Sequence, residues 1–100
     1  MFVILWEFEV KHGYQTGFEN AYGPQGPWVR LFRGDPRYRA TQLLRDPARP
    51  EIYFTLDFWD SEPAYENFKK QNQQAYSEID SETESLTVNE RLIGSFPVPQ

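Results

Sequence analysis

The side chains best suited to chemistry in this chain are aromatic rings, which make up 17% of the residues. Their spacing along predicted strands and helices brings eight of them between a sheet and its helices: Trp6, Phe8, Trp28, Phe32, Phe54, Tyr65, Phe68 and Tyr76. A ring-lined pocket with few polar anchors is the general form of a small-molecule site. The alternative is a plain core, because rings at helical spacing usually fill one.

Three residues supply the polar groups of the expected pocket: Trp6, Asn72 and Tyr76. An indole N–H, an amide and a phenol can all donate hydrogen bonds, and such donors stabilise an oxyanion that develops during a reaction. We therefore predict these three as catalytic residues. The other rings (Phe8, Trp28, Phe32, Phe54, Tyr65 and Phe68) are predicted to contact a hydrophobic aromatic ligand. No general base is visible in the sequence, and one buried Asp, Glu or His in the pocket would favour catalysis over simple binding.

Other kinds of site are disfavoured by composition. The single histidine, His12, and the absence of cysteine argue against a His- or Cys-based metal site, thiol chemistry or a catalytic triad. No glycine-rich segment has the spacing of a phosphate loop. A net charge of −5 argues against binding to nucleic acid or to an anionic membrane. We expect no cofactor and no metal.

The chain is expected to form one domain over residues 1–100. Alternation predicts strands at 2–10, 37–46, 51–60 and from Thr87 onward, and helical spacing predicts helices at 14–22, from Trp28 and after a cap at Asp60 or Ser61. A break in the last helix is expected at "QNQQAY". This order is that of the ferredoxin-like α+β fold, a four-stranded antiparallel sheet with helices on one face.

The two faces of the predicted sheet differ in character. In the third strand, Ile52, Phe54, Leu56 and Phe58 form an unbroken apolar face, which we expect to meet the helices. The mixed face of Tyr53, Thr55, Asp57 and Trp59 is expected on the opposite side with Val3 and Leu5. Such a face is too apolar for solvent and too charged for a closed core, so we predict a homodimer packed sheet to sheet.

Several segments together resemble the antibiotic biosynthesis monooxygenase (ABM) family of the dimeric α+β barrel superfamily. They are "MFVILWEFEVKHGYQTGFENAYGP", "WVRLFR", "TQLLRD" and "FWDSEPAYENF". The resemblance implies a ferredoxin-like monomer that pairs into a dimeric barrel. Some members are cofactor-independent oxygenases of polycyclic phenols, and others degrade haem. Haem-degrading members use Trp and His where this chain has Phe68 and Glu78, so haem degradation is not expected.

The resemblance therefore implies a cofactor-independent monooxygenase acting on an aromatic or polyketide-like small molecule. Such an enzyme needs only to deprotonate an electron-rich phenol and hold the carbanion beside O2. The alternative is a non-catalytic dimeric module that binds a hydrophobic metabolite. The start of the chain has no positive region before its apolar residues and no run of 18 apolar residues occurs, so a soluble cytoplasmic protein is expected.

Overall fold

The computed structural model describes residues 1–99 and contains one four-stranded antiparallel sheet with helices packed on one face. The elements in chain order are β1 (Phe2–Val10), α1 (Gln15–Tyr22), α2 (Pro27–Phe32), β2 (Tyr38–Arg45), β3 (Ile52–Trp59), α3 (Glu62–Gln71), α4 (Gln73–Thr83), a 3-10 turn (Glu84–Leu86) and β4 (Thr87–Pro97). The strands lie in the order β2-β3-β1-β4. The predicted ferredoxin-like α+β fold is confirmed.

The start of α3 and its separation from α4 follow from local side chains. Ser61 caps α3, since its side chain accepts a hydrogen bond of 3.2 Å from the backbone N–H of Ala64. Asn72 ends α3, and its side-chain amide donates to the Phe68 carbonyl at 2.9 Å. Such a side chain competes with the helical backbone for hydrogen bonds. The break predicted within "QNQQAY" is therefore found at Asn72.

The core between the sheet and the helices consists mainly of rings. Phe18 and Trp59 are fully buried, and Tyr53 and Phe68 are 1% exposed. Phe18 of α1 packs against Phe8 of β1 and Tyr53 of β3, with ring centroids 5.2 Å and 4.9 Å apart. Ring pairs of this kind add to the burial of apolar surface, so they fix the helices over the sheet.

The face assignment of β3 from the sequence is wrong. Trp59 lies opposite Phe2 and Tyr53 lies opposite Phe8 in the antiparallel ladder, and all four are buried. Residues directly opposite each other in a ladder point to the same face. Tyr53, Thr55, Asp57 and Trp59 therefore face the helices, and Ile52, Phe54, Leu56 and Phe58 face away from them.

The face turned away from the helices is largely apolar but also carries Gln42, Glu9 and the ion pair of Glu7 with Arg91, and it is not covered by any element of residues 1–99. It carries Val3, Leu5, Leu44, Ile52, Phe54, Leu56, Phe58 and Phe96. Leu44 is 48% exposed and Phe96 is 47% exposed. We call these residues the open sheet face. None of the helices in residues 1–99 is long and apolar enough to cross a membrane.

Candidate active site

A pocket of about 260 Å³ lies between the sheet and the helices. Its walls are largely aromatic, and several polar groups face into it. The lining residues are Trp6 and Phe8 of β1, Trp28, Val29 and Phe32 of α2, Thr41 of β2, Thr55 and Asp57 of β3, Glu90 of β4, and Tyr22, Lys69, Tyr76 and Asp80 of the other helices.

Asp57 is the carboxylate on the sheet side of this pocket. It lies opposite Ile4 in the ladder, which turns its side chain toward the helices. Its Oδ1 accepts a hydrogen bond of 2.7 Å from the Thr41 hydroxyl, and that hydroxyl accepts one of 2.7 Å from the Tyr38 hydroxyl. No Lys, Arg or His within residues 1–99 forms an ion pair with it.

The environment of Asp57 makes it a stronger base than an ordinary aspartate. Burial raises the pKa of its carboxyl to about 6, and the hydrogen bond from Thr41 opposes that rise. Removal from water disfavours the charged form when no cation compensates. A carboxylate with a pKa close to the working pH is suited to general base catalysis, because it is ionised and still able to hold a proton.

The helix side of the pocket carries hydroxyl donors. Tyr76 packs edge-on against Trp28, with ring centroids 4.9 Å apart. Burial raises the pKa of Tyr76 and also that of Tyr65, which is buried beside it. Both phenols therefore remain protonated at neutral pH, so the Tyr76 hydroxyl can donate a hydrogen bond into the pocket.

Three further charged residues line the pocket. The Lys69 ammonium lies 5.2 Å from the centre of the Tyr65 ring and 6.0 Å from that of Tyr76. Asp80 and Glu90 are exposed, and they place negative charge at the solvent side. Partial removal from water raises the pKa of Glu90, and the charge of Asp80 adds to that rise.

The structure brings five of the nine residues predicted from the sequence into this pocket: Trp6, Phe8, Trp28, Phe32 and Tyr76. These include two of the three predicted catalytic residues. Their roles in binding or catalysis remain predictions.

The other four predicted residues do not line the pocket. Phe54 lies on the open sheet face, because the phase of β3 is opposite to the predicted one. Asn72 directs its amide to the Phe68 carbonyl and borders a separate groove, as does Phe68. Phe68 and Tyr65 are buried, with ring centres 4.9 Å and 5.5 Å from that of Trp59, and belong to the core.

The polar lining residues that were not predicted from the sequence include Asp57, Thr41 and Lys69, and also Thr55, Asp80 and Glu90. The available signal for Asp57 was the order Tyr53-Thr55-Asp57-Trp59 on one strand face, with rings at both ends and polar groups between them. Thr55 and Asp57, the polar groups between these rings, line the pocket. The other face of this strand is more uniformly apolar, and it was therefore expected to meet the helices.

The family model described as "Antibiotic biosynthesis monooxygenase" matches residues 1–76. The chain belongs to the antibiotic biosynthesis monooxygenase family. The part that matches the ABM model contains Asp57, Lys69 and Tyr76, whereas Asp80 and Glu90 lie beyond it. No curated protein matches the chain in sequence.

Solved structures share the ABM fold at low sequence identity. A Nitrosomonas europaea protein provisionally assigned as an antibiotic biosynthesis monooxygenase aligns with a TM-score of 0.75 and 12% identity, over 98% of both chains. A mutant of SnoaB, a cofactor-independent oxygenase from Streptomyces nogalater, aligns with a TM-score of 0.74 and 16% identity, over 99% of this chain and 93% of its own. A Bordetella bronchiseptica protein with the same provisional assignment as the Nitrosomonas protein aligns with a TM-score of 0.75 and 12% identity, over 99% of this chain and 97% of its own. At such identities the likeness establishes the fold.

Proposed function

We propose that this chain is a cofactor-independent monooxygenase acting on an aromatic or polyketide-like phenol. The observation that carries the proposal is the position of Asp57, a carboxylate inside a ring-lined pocket. Burial raises the pKa of this carboxyl to about 6. It supplies the general base that such a reaction needs. Membership of the ABM family and the similar fold of SnoaB, a cofactor-independent oxygenase, support the same reaction class.

The proposed reaction replaces a CH2 group beside phenolic rings by a carbonyl. Asp57 removes a proton from the ring carbon, and the carbanion passes one electron to O2. The resulting superoxide and carbon radical combine into a peroxide, which takes up a proton. The O–O bond then breaks with loss of the second hydrogen from carbon, which gives the carbonyl and one molecule of water. Both oxygen atoms and all four electrons are accounted for without an external reductant.

The pocket also contains groups that can orient the substrate and its anion. Trp6 and Trp28 provide flat apolar surfaces, and the Tyr76 hydroxyl can donate to the developing oxyanion. A volume of about 260 Å³ is close to the lower limit of roughly 300 Å³ for drug-sized pockets, so a compact compound of one to three fused rings is expected.

The test is oxygen consumption by purified, metal-free protein with a panel of anthrones, which carry the CH2 group that the reaction oxidises. We expect uptake above the buffer rate that falls at least roughly a hundredfold in Asp57→Asn, because general bases contribute about that much. Glu82→Gln, an exposed change on α4, is the matched control and should retain activity. Full activity in Asp57→Asn, or no uptake across the panel, contradicts the proposal. Quenching of tryptophan fluorescence without uptake indicates the alternative, a module that only binds a hydrophobic metabolite.

We further propose that a second copy of the chain covers the open sheet face. Exposed apolar residues such as Leu44 and Phe96 on this face support a homodimer packed sheet to sheet. Sedimentation should give a dimer that Leu56→Asp converts to a monomer. The control is Leu92→Asp. Leu92 is exposed, and it lies opposite Trp6 on the side of the sheet that is turned toward the helices. A stable wild-type monomer at micromolar concentration contradicts the proposal.

A further inference from the structure

Among the described residues that line the pocket, Lys69 is the only one with a positive charge. We infer that Lys69 stabilises the anion that forms when Asp57 removes the substrate's proton, and that the pocket therefore selects phenols that bind readily as phenolates. This inference rests on the proposed oxygenase reaction and adds a substrate property and a second charged residue to it.

The position of Lys69 separates it from an ordinary surface lysine. Its stem is half-buried in the last turn of α3, and its ammonium lies over the rings of Tyr65 and Tyr76. It belongs to none of the ion pairs within residues 1–99. The neighbouring Lys70 is exposed and does not line the pocket.

The other charges that face the pocket make this cation necessary. Asp57 on β3, Asp80 on α4 and Glu90 on β4 are carboxylates, and they oppose the entry of any anion. In an anthrone the carbanion is conjugated with the ring carbonyl, so much of its charge lies on that oxygen, as in a phenolate. The proton goes to Asp57, so the ammonium of Lys69 is left to balance the substrate's charge. It can also stabilise the superoxide that forms after electron transfer to O2.

A purely structural reading assigns Lys69 a different role. Lysine stems often cover apolar surface while the charged end reaches water, and an ammonium over an aromatic ring adds a modest attraction. In that case only the stem matters, and replacement by methionine should leave the binding of an anion unchanged.

Binding of para-nitrophenol distinguishes the two readings, because its phenolate absorbs visible light and it has no carbon–hydrogen bond of the kind that the reaction removes. We expect the wild-type protein to lower the pKa of the bound probe below that of the free compound. Lys69→Met should raise the bound probe's pKa by about one unit and weaken phenolate binding about tenfold. Lys69→Arg should restore most of the effect, and Lys70→Met should behave as the wild type.

An equal pKa of the bound probe in wild type and Lys69→Met, or a failure of the wild type to bind the phenolate, overturns the inference. Full oxygen uptake by Lys69→Met with anthrones also overturns it and leaves the proposed function intact. A Lys69-dependent preference for phenolate in a protein that consumes no oxygen supports the charge role and refutes the reaction.

Discussion

Replacing Asp57 by asparagine should stabilise the protein while it removes the proposed activity. The pKa of this carboxyl is raised from 3.8 to about 6. The folded protein therefore binds the proton more tightly than the unfolded chain does, and the free energy of unfolding falls as the pH rises between these two values. Asparagine has the same shape, and its amide oxygen can still accept the hydrogen bond from Thr41.

The size of the effect follows from the pKa. A shift of about two units corresponds to roughly 3 kcal/mol of lost stability once the carboxyl is fully ionised, which is complete above about pH 7. This figure is an upper bound, because the pocket admits water next to the carboxylate. At about pH 5 only about half of this destabilisation remains. Asp57→Asn should thus exceed the wild type by roughly 1–3 kcal/mol at neutral pH and by about half as much at about pH 5.

Chemical denaturation of both proteins at about pH 5 and about pH 7.5 measures these differences. Other groups titrate equally in the two proteins. A change with pH in the difference between their free energies of unfolding therefore reports on Asp57. Glu82→Gln, at an exposed carboxylate of α4 outside the pocket, is the control, and its stability relative to wild type should be the same at both pH values. A variant no more stable than wild type at neutral pH refutes the argument that Asp57 carries an uncompensated charge.

Three further changes test the site and the fold. Thr41→Val removes the hydroxyl that donates to Asp57, so the pKa of Asp57 should rise further and the acid limb of the pH profile of kcat/KM should move to higher pH. Tyr76→Phe removes a donor to the oxyanion, and oxygen-uptake kinetics should show kcat lowered roughly a hundredfold with little change in KM. Ser61→Ala removes the cap that bonds Ala64, and thermal unfolding should show a loss of about 1 kcal/mol.

Much of the fold could be predicted because its signals are local. The strand at Phe2–Val10 follows from strict alternation with one wholly apolar face. The start of α3 follows from Ser61 and Pro63, and its end near Asn72 from a weak helical stretch. Each of these features depends on neighbouring residues along the chain, so no knowledge of the tertiary structure is needed.

The phase of β3 could not be predicted in the same way. Both of its faces carry large apolar residues, and the side turned from the helices is the more uniformly apolar one. Hydrophobicity therefore favours the wrong assignment, and only the pairing of β3 with β1 places Tyr53 and Trp59 under the helices. A shift of one residue in a strand exchanges its two faces, so this single error misplaced both Phe54 and Asp57.

The sequence by itself determined the order of the elements, the family and the aromatic character of the pocket. The general base was decided by the tertiary structure alone. Asp57 becomes a base because the register of β3 against β1 turns it into a ring-lined pocket, where burial raises its pKa and no cation of residues 1–99 forms an ion pair with it. The properties of a carboxylate depend on water and charges contributed by distant parts of the chain, and these come together only in the fold.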